Sequence, residues 1–108
     1  MNLNIVNLAC FKKDTKKLAK KHRNFIADLK TLYDTLQDDP EAGIKIGIGL
    51  YKIRLKNSSI KQGKSGGFRV IYYYLDTDNN LFLVKIFSKT QLDNVNNSEI
   101  LELLKKNL

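Results

Sequence analysis

The sequence predicts an α+β domain: an N-terminal strand and a helical hairpin packed on a small antiparallel sheet, with a short helix at the C-terminus. Three observations predict it. The apolar period is helical between Phe11 and Leu36, it switches to alternation from Leu50, and the final residues carry the end signals of a short helix.

Residues 2 to 8 alternate loosely around Leu3 and Ile5 and read as a first strand. From there Phe11, Leu18, Phe25 and Leu32 recur every seven positions, with Leu29 and Leu36 four after the last two, which makes an apolar stripe on a helical face. The polar side of its first half is Lys12, Lys13, Lys16, Lys17, Lys20, Lys21 and Arg23. We read two helices joined near residues 22 to 24. Asp38, Asp39 and Pro40 close the region, because proline cannot continue a helix and biases its predecessor away from helical angles.

Residues 43 to 49 (GIKIGIG) read as a glycine-rich connector into a strand. From Leu50, Tyr51, Ile53 and Leu55 fall on one face and Lys52, Arg54 and Lys56 on the other. A loop over 57 to 67 precedes a second strand, 68 to 75. The stretch DTDNN, 76 to 80, makes a hairpin turn into a third strand, 81 to 88, in which Phe82, Val84 and Ile86 are expected to share a face. At the end, Ser98 is the expected helix cap, with Glu99 and Glu102 near the start and Lys105 and Lys106 near the finish, as the helix dipole favours.

At 108 residues the chain suits one domain, 1 to 108, with a single modest core. Its net charge of +8 is uneven. Residues 42 to 75 hold seven Lys/Arg and no Asp/Glu, and residues 1 to 37 hold eight against three. Such a field attracts nucleic acid, an anionic membrane surface or an acidic protein partner. The lone Cys10 sits between Ala9 and Phe11 and is expected to pack rather than react. No apolar run approaches the ~20 residues that span a bilayer and no signal-peptide pattern opens the chain, so a cytoplasmic protein without membrane contact is expected. The Asn-x-Ser matches at Asn57 and Asn96 are then products of chance.

The stretch GKSGGFRVIYYYL, 63 to 75, sets a lysine among glycines directly before a strand that opens with Arg69. A nucleotide-binding loop is a poor fit. Gly63, Lys64 and Ser65 match the end of that pattern, but Ser58 stands at its leading glycine and a strand follows where a helix should. Metal and carboxylate chemistry are equally poorly supported, since His22 stands alone and Asp76 and Asp78 lie in a turn. What remains is cationic. Lys52 and Arg54 are two apart on a strand and project the same way; if the next strand pairs alongside, Arg69 joins them, with Lys61 and Lys64 on the loop above. A solvated surface is the ordinary reading of such a run, and the missing acids and the glycines favour an anion site instead. Packing is likewise the default for Tyr72, Tyr73 and Tyr74; alternation sends Tyr73 to the side of Arg69, where base stacking or proton transfer becomes conceivable.

The runs GLYKIRL, GGFRVIYYYLD and LFLVKIFSKTQL resemble the RelE/ParE superfamily of bacterial toxins, most closely its HigB-like RelE members, in order and pattern over roughly residues 25 to 105. The specific part is Tyr51 to Leu55, Gly66 to Tyr73 and Ile86 to Lys89. The resemblance implies a RelE-like domain acting as the toxin of a type II toxin–antitoxin system. It implies a ribosome-dependent endoribonuclease, an mRNA interferase, that inhibits translation without metal or cofactor by attack of a ribose 2′-hydroxyl on the adjacent phosphate. A cognate acidic antitoxin, the ribosome and mRNA are the implied partners. By the same resemblance Lys52 and Arg54 line the cleft, Arg69 matches the arginine on the scissile phosphate, and Lys89 belongs to the basic cluster after the last strand. Arg69 is expected to stabilise the transition state, Arg54 to position phosphate, and Lys52 or Lys89 to move the proton. Lys56, Lys61, Lys64 and Tyr73 are expected RNA contacts. RelE has a further arginine and a tyrosine where this chain reads Thr90, Gln91, Asn96 and Asn97, so the acid and base stay open. The rival expectation is a non-nucleolytic chain, either a ParE-like gyrase inhibitor or a basic RNA-binding module.

Overall fold

Helical and alternating periods resolve into eight elements among the described residues. The computed structural model describes residues 3–59, 67–88 and 96–108. In chain order these are β1 (Asn4–Asn7), α1 (Ala9–Lys21), α2 (Phe25–Asp38), β2 (Ile44–Gly47), β3 (Leu50–Leu55), β4 (Phe68–Leu75), β5 (Asn80–Ser88) and α3 (Asn97–Asn107). The five strands form one sheet in the order β1-β5-β4-β3-β2. The helical region is two helices, and α2 ends before Pro40 as expected. The DTDNN turn joins β4 to β5, with Asn79 at φ 57 taking the left-handed conformation that asparagine tolerates.

Four features differ from the sequence expectation. The sheet is mixed, because β1 lies parallel to β5 while all other pairs are antiparallel; alternation marks a strand without naming its neighbour. Residues 44 to 47, read as a connector, form edge strand β2 in a hairpin with β3. Glycine diluted the alternation there, but Gly49 serves the turn: its φ is 74, and a Cβ would lie 2.7 Å from Tyr73 Cε1. Phe82, Val84 and Ile86 do not share a face, since the β4–β5 register shifts between Ile71 and Tyr72 and leaves Val84 as an extra residue of β5. Finally, the α3 cap is Asn96, whose side chain accepts hydrogen bonds from the Ser98 backbone and hydroxyl at 2.8 Å each.

The sheet buries both faces. One carries Tyr51, Leu55, Phe68, Val70, Tyr72 and Ile86 against Phe11 and Leu18 of α1 and Phe25, Leu32 and Leu36 of α2. Phe25 and Phe68 meet edge to face at 5.2 Å, both fully buried; burying each contributes on the order of 1.5–3 kcal/mol. The other face carries Leu50, Ile71 and Phe87 against Ile100 and Leu104 of α3. β1 is short, so β5 would present a bare edge beyond Leu83. Helix α1 covers it: Leu8 N donates to Leu83 O (3.2 Å), Cys10 Sγ to Val84 O (3.0 Å), and Ile86 N to Asp14 Oδ2 (3.2 Å). Cys10 is thus a packing residue, its thiol pKa pushed up by burial.

Candidate functional site

The face of the sheet that α3 only partly covers carries the cations. Strand β3 pairs with β4 so that Arg54 lies opposite Arg69 and Lys52 opposite Ile71. Tyr74 N donates to Gly49 O at 2.8 Å, so Gly49 and Tyr74 are a hydrogen-bonded pair. Alternation along the ladder then makes Arg54–Arg69 a non-hydrogen-bonded pair, the kind in which side chains stand closer, with Cα atoms about 4.5 Å apart. Lys52, Arg54 and Arg69 therefore share one face, as the sequence spacing anticipated. Arg54 is exposed, and Lys52 and Arg69 are partly buried.

The electrostatics of the pair are uncompensated among the described residues. Burial holds the Arg69 pKa below the ordinary arginine value, and the neighbouring Arg54 charge pushes it the same way. The only ion pair among the described residues lies elsewhere, Lys85 Nζ to Asp14 Oδ2 at 3.9 Å. Lys85 belongs to the same row of the sheet as Lys52, across Ile71, but Asp14 engages it. Arg69 is also near its own chain, with Nη1 at 3.4 Å from Phe68 O.

Lys56 follows β3, exposed, and with Arg54 lines a groove of about 300 Å³ between β3 and α2. Asp28 and Thr31 form part of the opposite wall. The Asp28 carboxylate is buried and spoken for: Ser58 donates to it from its backbone at 3.0 Å and its hydroxyl at 2.6 Å. Beside it, Asn57 Oδ1 accepts from Ser59 N, which turns its amide Nδ2 toward His22 Nδ1 at 3.1 Å. His22, whose ring also meets Phe68 edge to face at 5.2 Å, is a satisfied packing residue. Sequence reading missed this clasp at the end of β3. The Asn-Ser-Ser run after a strand is the signal that could have found it, because asparagine accepting from the backbone two residues on makes an Asx turn.

Tyr73 lies on the Arg69 face but four residues along β4, roughly 13 Å away, packed beside Phe82 with ring centroids 6.4 Å apart. Lys61, Lys64 and Lys89 lie outside the described residues. Gly67 does have a structural duty: its φ is 114, and a Cβ would sit 3.1 Å from Leu55 O. Among the described residues no group of three or more His, Cys, Asp or Glu is placed to hold a metal, and no helix is long and apolar enough to cross a membrane.

Two guanidinium groups side by side, without a counter-charge among the described residues, form a receptor for an oxyanion. Guanidinium presents paired donors in a plane that matches two phosphate oxygens. The geometry therefore fits a phosphodiester, in its ground state or with the added charge of a pentacoordinate transition state.

Comparison with known proteins agrees in fold and in family. A family model described as the RelE toxin of the RelE / RelB toxin–antitoxin system matches residues 8–107. Among solved structures, the chain is similar to a mutant of the E. coli toxin RelE in the free state, at 21% identity and a TM-score of 0.63, covering 100% of both chains.

Proposed function

This chain belongs to the RelE toxin family, and from that premise we propose that it stops translation by cutting messenger RNA on the ribosome, with Arg69 and Arg54 holding the reacting phosphate. The single observation that carries the proposal is the cross-strand Arg54–Arg69 pair, Arg54 exposed and Arg69 partly buried on the same face, and unneutralised among the described residues. The family also implies an antitoxin partner; an acidic segment of it would complement this same face.

In the proposed reaction the ribose 2′-oxygen forms a bond to the adjacent phosphorus while the bond to the 5′-oxygen breaks. The 2′-hydroxyl proton passes to a base, and a proton is returned to the leaving 5′-oxygen. The products are a 2′,3′-cyclic phosphate and a 5′-hydroxyl. Arg69 faces the extra negative charge that gathers on the non-bridging oxygens, and Arg54 fixes the phosphate beside it. Lys52, one step along β3 on the same face, or Lys89 handles a proton. Lys56, Lys61, Lys64 and Tyr73 contact the rest of the message. The ribosome supplies the alignment of the 2′-hydroxyl that a small chain cannot impose.

The test is to map transcript 5′ ends after brief expression and to repeat it with Arg69→Ala. Loss of a preorganised donor to a developing oxyanion lowers turnover by about 10²–10³. Cuts should therefore vanish and growth resume, with the variant's circular dichroism unchanged. Growth arrest with intact messages and a DNA-damage response would transfer the chain to the gyrase-inhibitor reading.

A further inference from the structure

The end of the β3–β4 ladder away from Arg54 and Arg69 is acidic. Glu41 follows α2, Asp76 opens the β4–β5 turn, and the fold brings these distant segments to one cavity of about 150 Å³. Tyr51, Tyr74, Lys45 and Ile48 share its lining. Tyr51 belongs to the helix-covered face of the sheet, whereas Arg54 and Arg69 lie on the other face and about 10 Å along the strands. The cavity is therefore separate from the anion site.

Tyr51 is the residue that points to a ligand. Only 7% of it is exposed, and its ring stacks on Tyr72 at 5.1 Å. The Tyr72 hydroxyl accepts the Gly43 N–H at 3.0 Å, but among the described residues no hydrogen bond engages the hydroxyl of Tyr51. No enclosed polar side-chain atom among those residues lacks a partner, so this hydroxyl opens into the cavity that Tyr51 lines. Its electrostatics agree. Burial raises its pKa first, and after burial the contributors are Glu41, Asp76, Tyr74 and Asp39, the groups around the cavity.

Two carboxylates, two aromatic rings and an unengaged phenol oxygen attract a cation, and they favour an organic one. Among the described residues no three His, Cys, Asp or Glu are placed to hold a metal, whereas aromatic rings attract ammonium groups. Glu41 and Asp76 are exposed, and no described cation lies within ion-pair distance of either. Lys45, opposite Tyr51 on β2, is the one opposing charge, so the lining keeps a net charge that matches a single ammonium. The volume is below the roughly 300–1,000 Å³ of pockets that take whole ligands. It suits one arm of a ligand, and Ile48, 88% exposed, gives the methylenes of that arm an apolar neighbour.

We propose that this cavity binds the ammonium end of an alkylamine, with Glu41 and Asp76 neutralising the charge and the Tyr51 hydroxyl accepting one of its N–H bonds. The ligand is a free diamine or polyamine, or a lysine side chain of another protein; each presents an ammonium on a flexible alkyl stem. The site stands whether or not the chain cuts RNA.

The test titrates the full chain, carrying isotope-labelled tyrosine, with putrescine and separately with Nα-acetyl-lysine methylamide, at ionic strength held constant with NaCl. The NMR signals of Tyr51 and Tyr74 should shift saturably while those of Tyr33 stay in place. Tyr51→Phe, which keeps the ring, and Glu41→Gln/Asp76→Asn, which changes only exposed side chains, should each weaken binding about 10-fold or more, the loss expected for a hydrogen bond to a charged group. Lys45→Gln should tighten it. Saturation by putrescine alone assigns the site to free amines, saturation by the lysine derivative alone assigns it to a protein side chain, and binding of both shows that the ammonium arm itself is read. No saturable shift with either amine overturns the proposal, as does unchanged binding in folded Glu41→Gln/Asp76→Asn or equal shifts when NaCl replaces the amine.

Discussion

Arg54 and Arg69 stand opposite each other at a non-hydrogen-bonded position of the β3–β4 ladder, where like charges destabilise a sheet. A pair selected for folding alone would have one partner of opposite sign or an apolar side chain, as Tyr51 has in Tyr72, stacked at 5.1 Å on the other face. Arg54→Gln should therefore stabilise the protein while weakening its action on RNA. The expected gain is about 0.2–1 kcal/mol, read as a higher urea midpoint with an unchanged m value, together with reduced cleavage of messages. A less stable Arg54→Gln protein would mean that Arg54 has a favourable folding role the pair geometry does not reveal. Site residues were legible at this scale because alternation alone sends Lys52 and Arg54 to one side. The opposition of Arg54 to Arg69 needed the register, and the engagement of Asp28 by Ser58 needed the path of the chain after β3.

Between elements, the instructive contrast is how α1 and β5 meet. Asp14 accepts the Ile86 N–H from the bare edge of β5, faces Lys85 at 3.9 Å and feels the charges of Lys17 and Lys13, yet burial outweighs these attractions and pushes its carboxyl pKa above the ordinary 3.8. The folded state thus binds this proton more tightly than the unfolded chain. By linkage, the Asp14 contribution to stability is fullest below pH 3.8 and declines as pH rises through the raised value. Asp14→Asn keeps an acceptor for Ile86 N and has no charge to desolvate. It should be at least as stable as wild type at pH 7, with the advantage shrinking as the two are compared at steps down to pH 4. Denaturant curves at each pH check this; a variant clearly weaker at pH 7 would show that the Lys85 attraction dominates. None of this edge cover was legible in the sequence, where Asp14 is one acid among lysines. Periodicity revealed α1, α2 and the β3, β4 and β5 strands. It missed β2, where glycines break the alternation, and the bulge at Val84, since one extra residue inverts every face assignment beyond it.

For the molecule as a whole, charge is the quantity that sequence predicts best and that the fold leaves unspent. The chain carries +8, and among the described residues Lys85–Asp14 is the only ion pair, so no described acid lies within ion-pair distance of the α1 lysines or of Arg54. Self-repulsion of this kind lowers the stability of a compact state, and it is screened over about 10 Å at 0.1 M salt and about 3 Å at 1 M. Thermal stability should accordingly rise with NaCl. Relief of about 1 kcal/mol corresponds to roughly 4–8 °C in a domain of this size, so a scan from low to near-molar NaCl should raise Tm by several degrees. The Lys16→Gln/Lys17→Gln/Lys20→Gln/Lys21→Gln protein, already relieved of four charges, should start higher and gain less. Calorimetry of both proteins across the series separates repulsion from a general salt effect. Equal gains in the two would place the unfavourable charge away from α1, whereas a Tm that falls with salt would mean that attractive pairs outweigh repulsive ones.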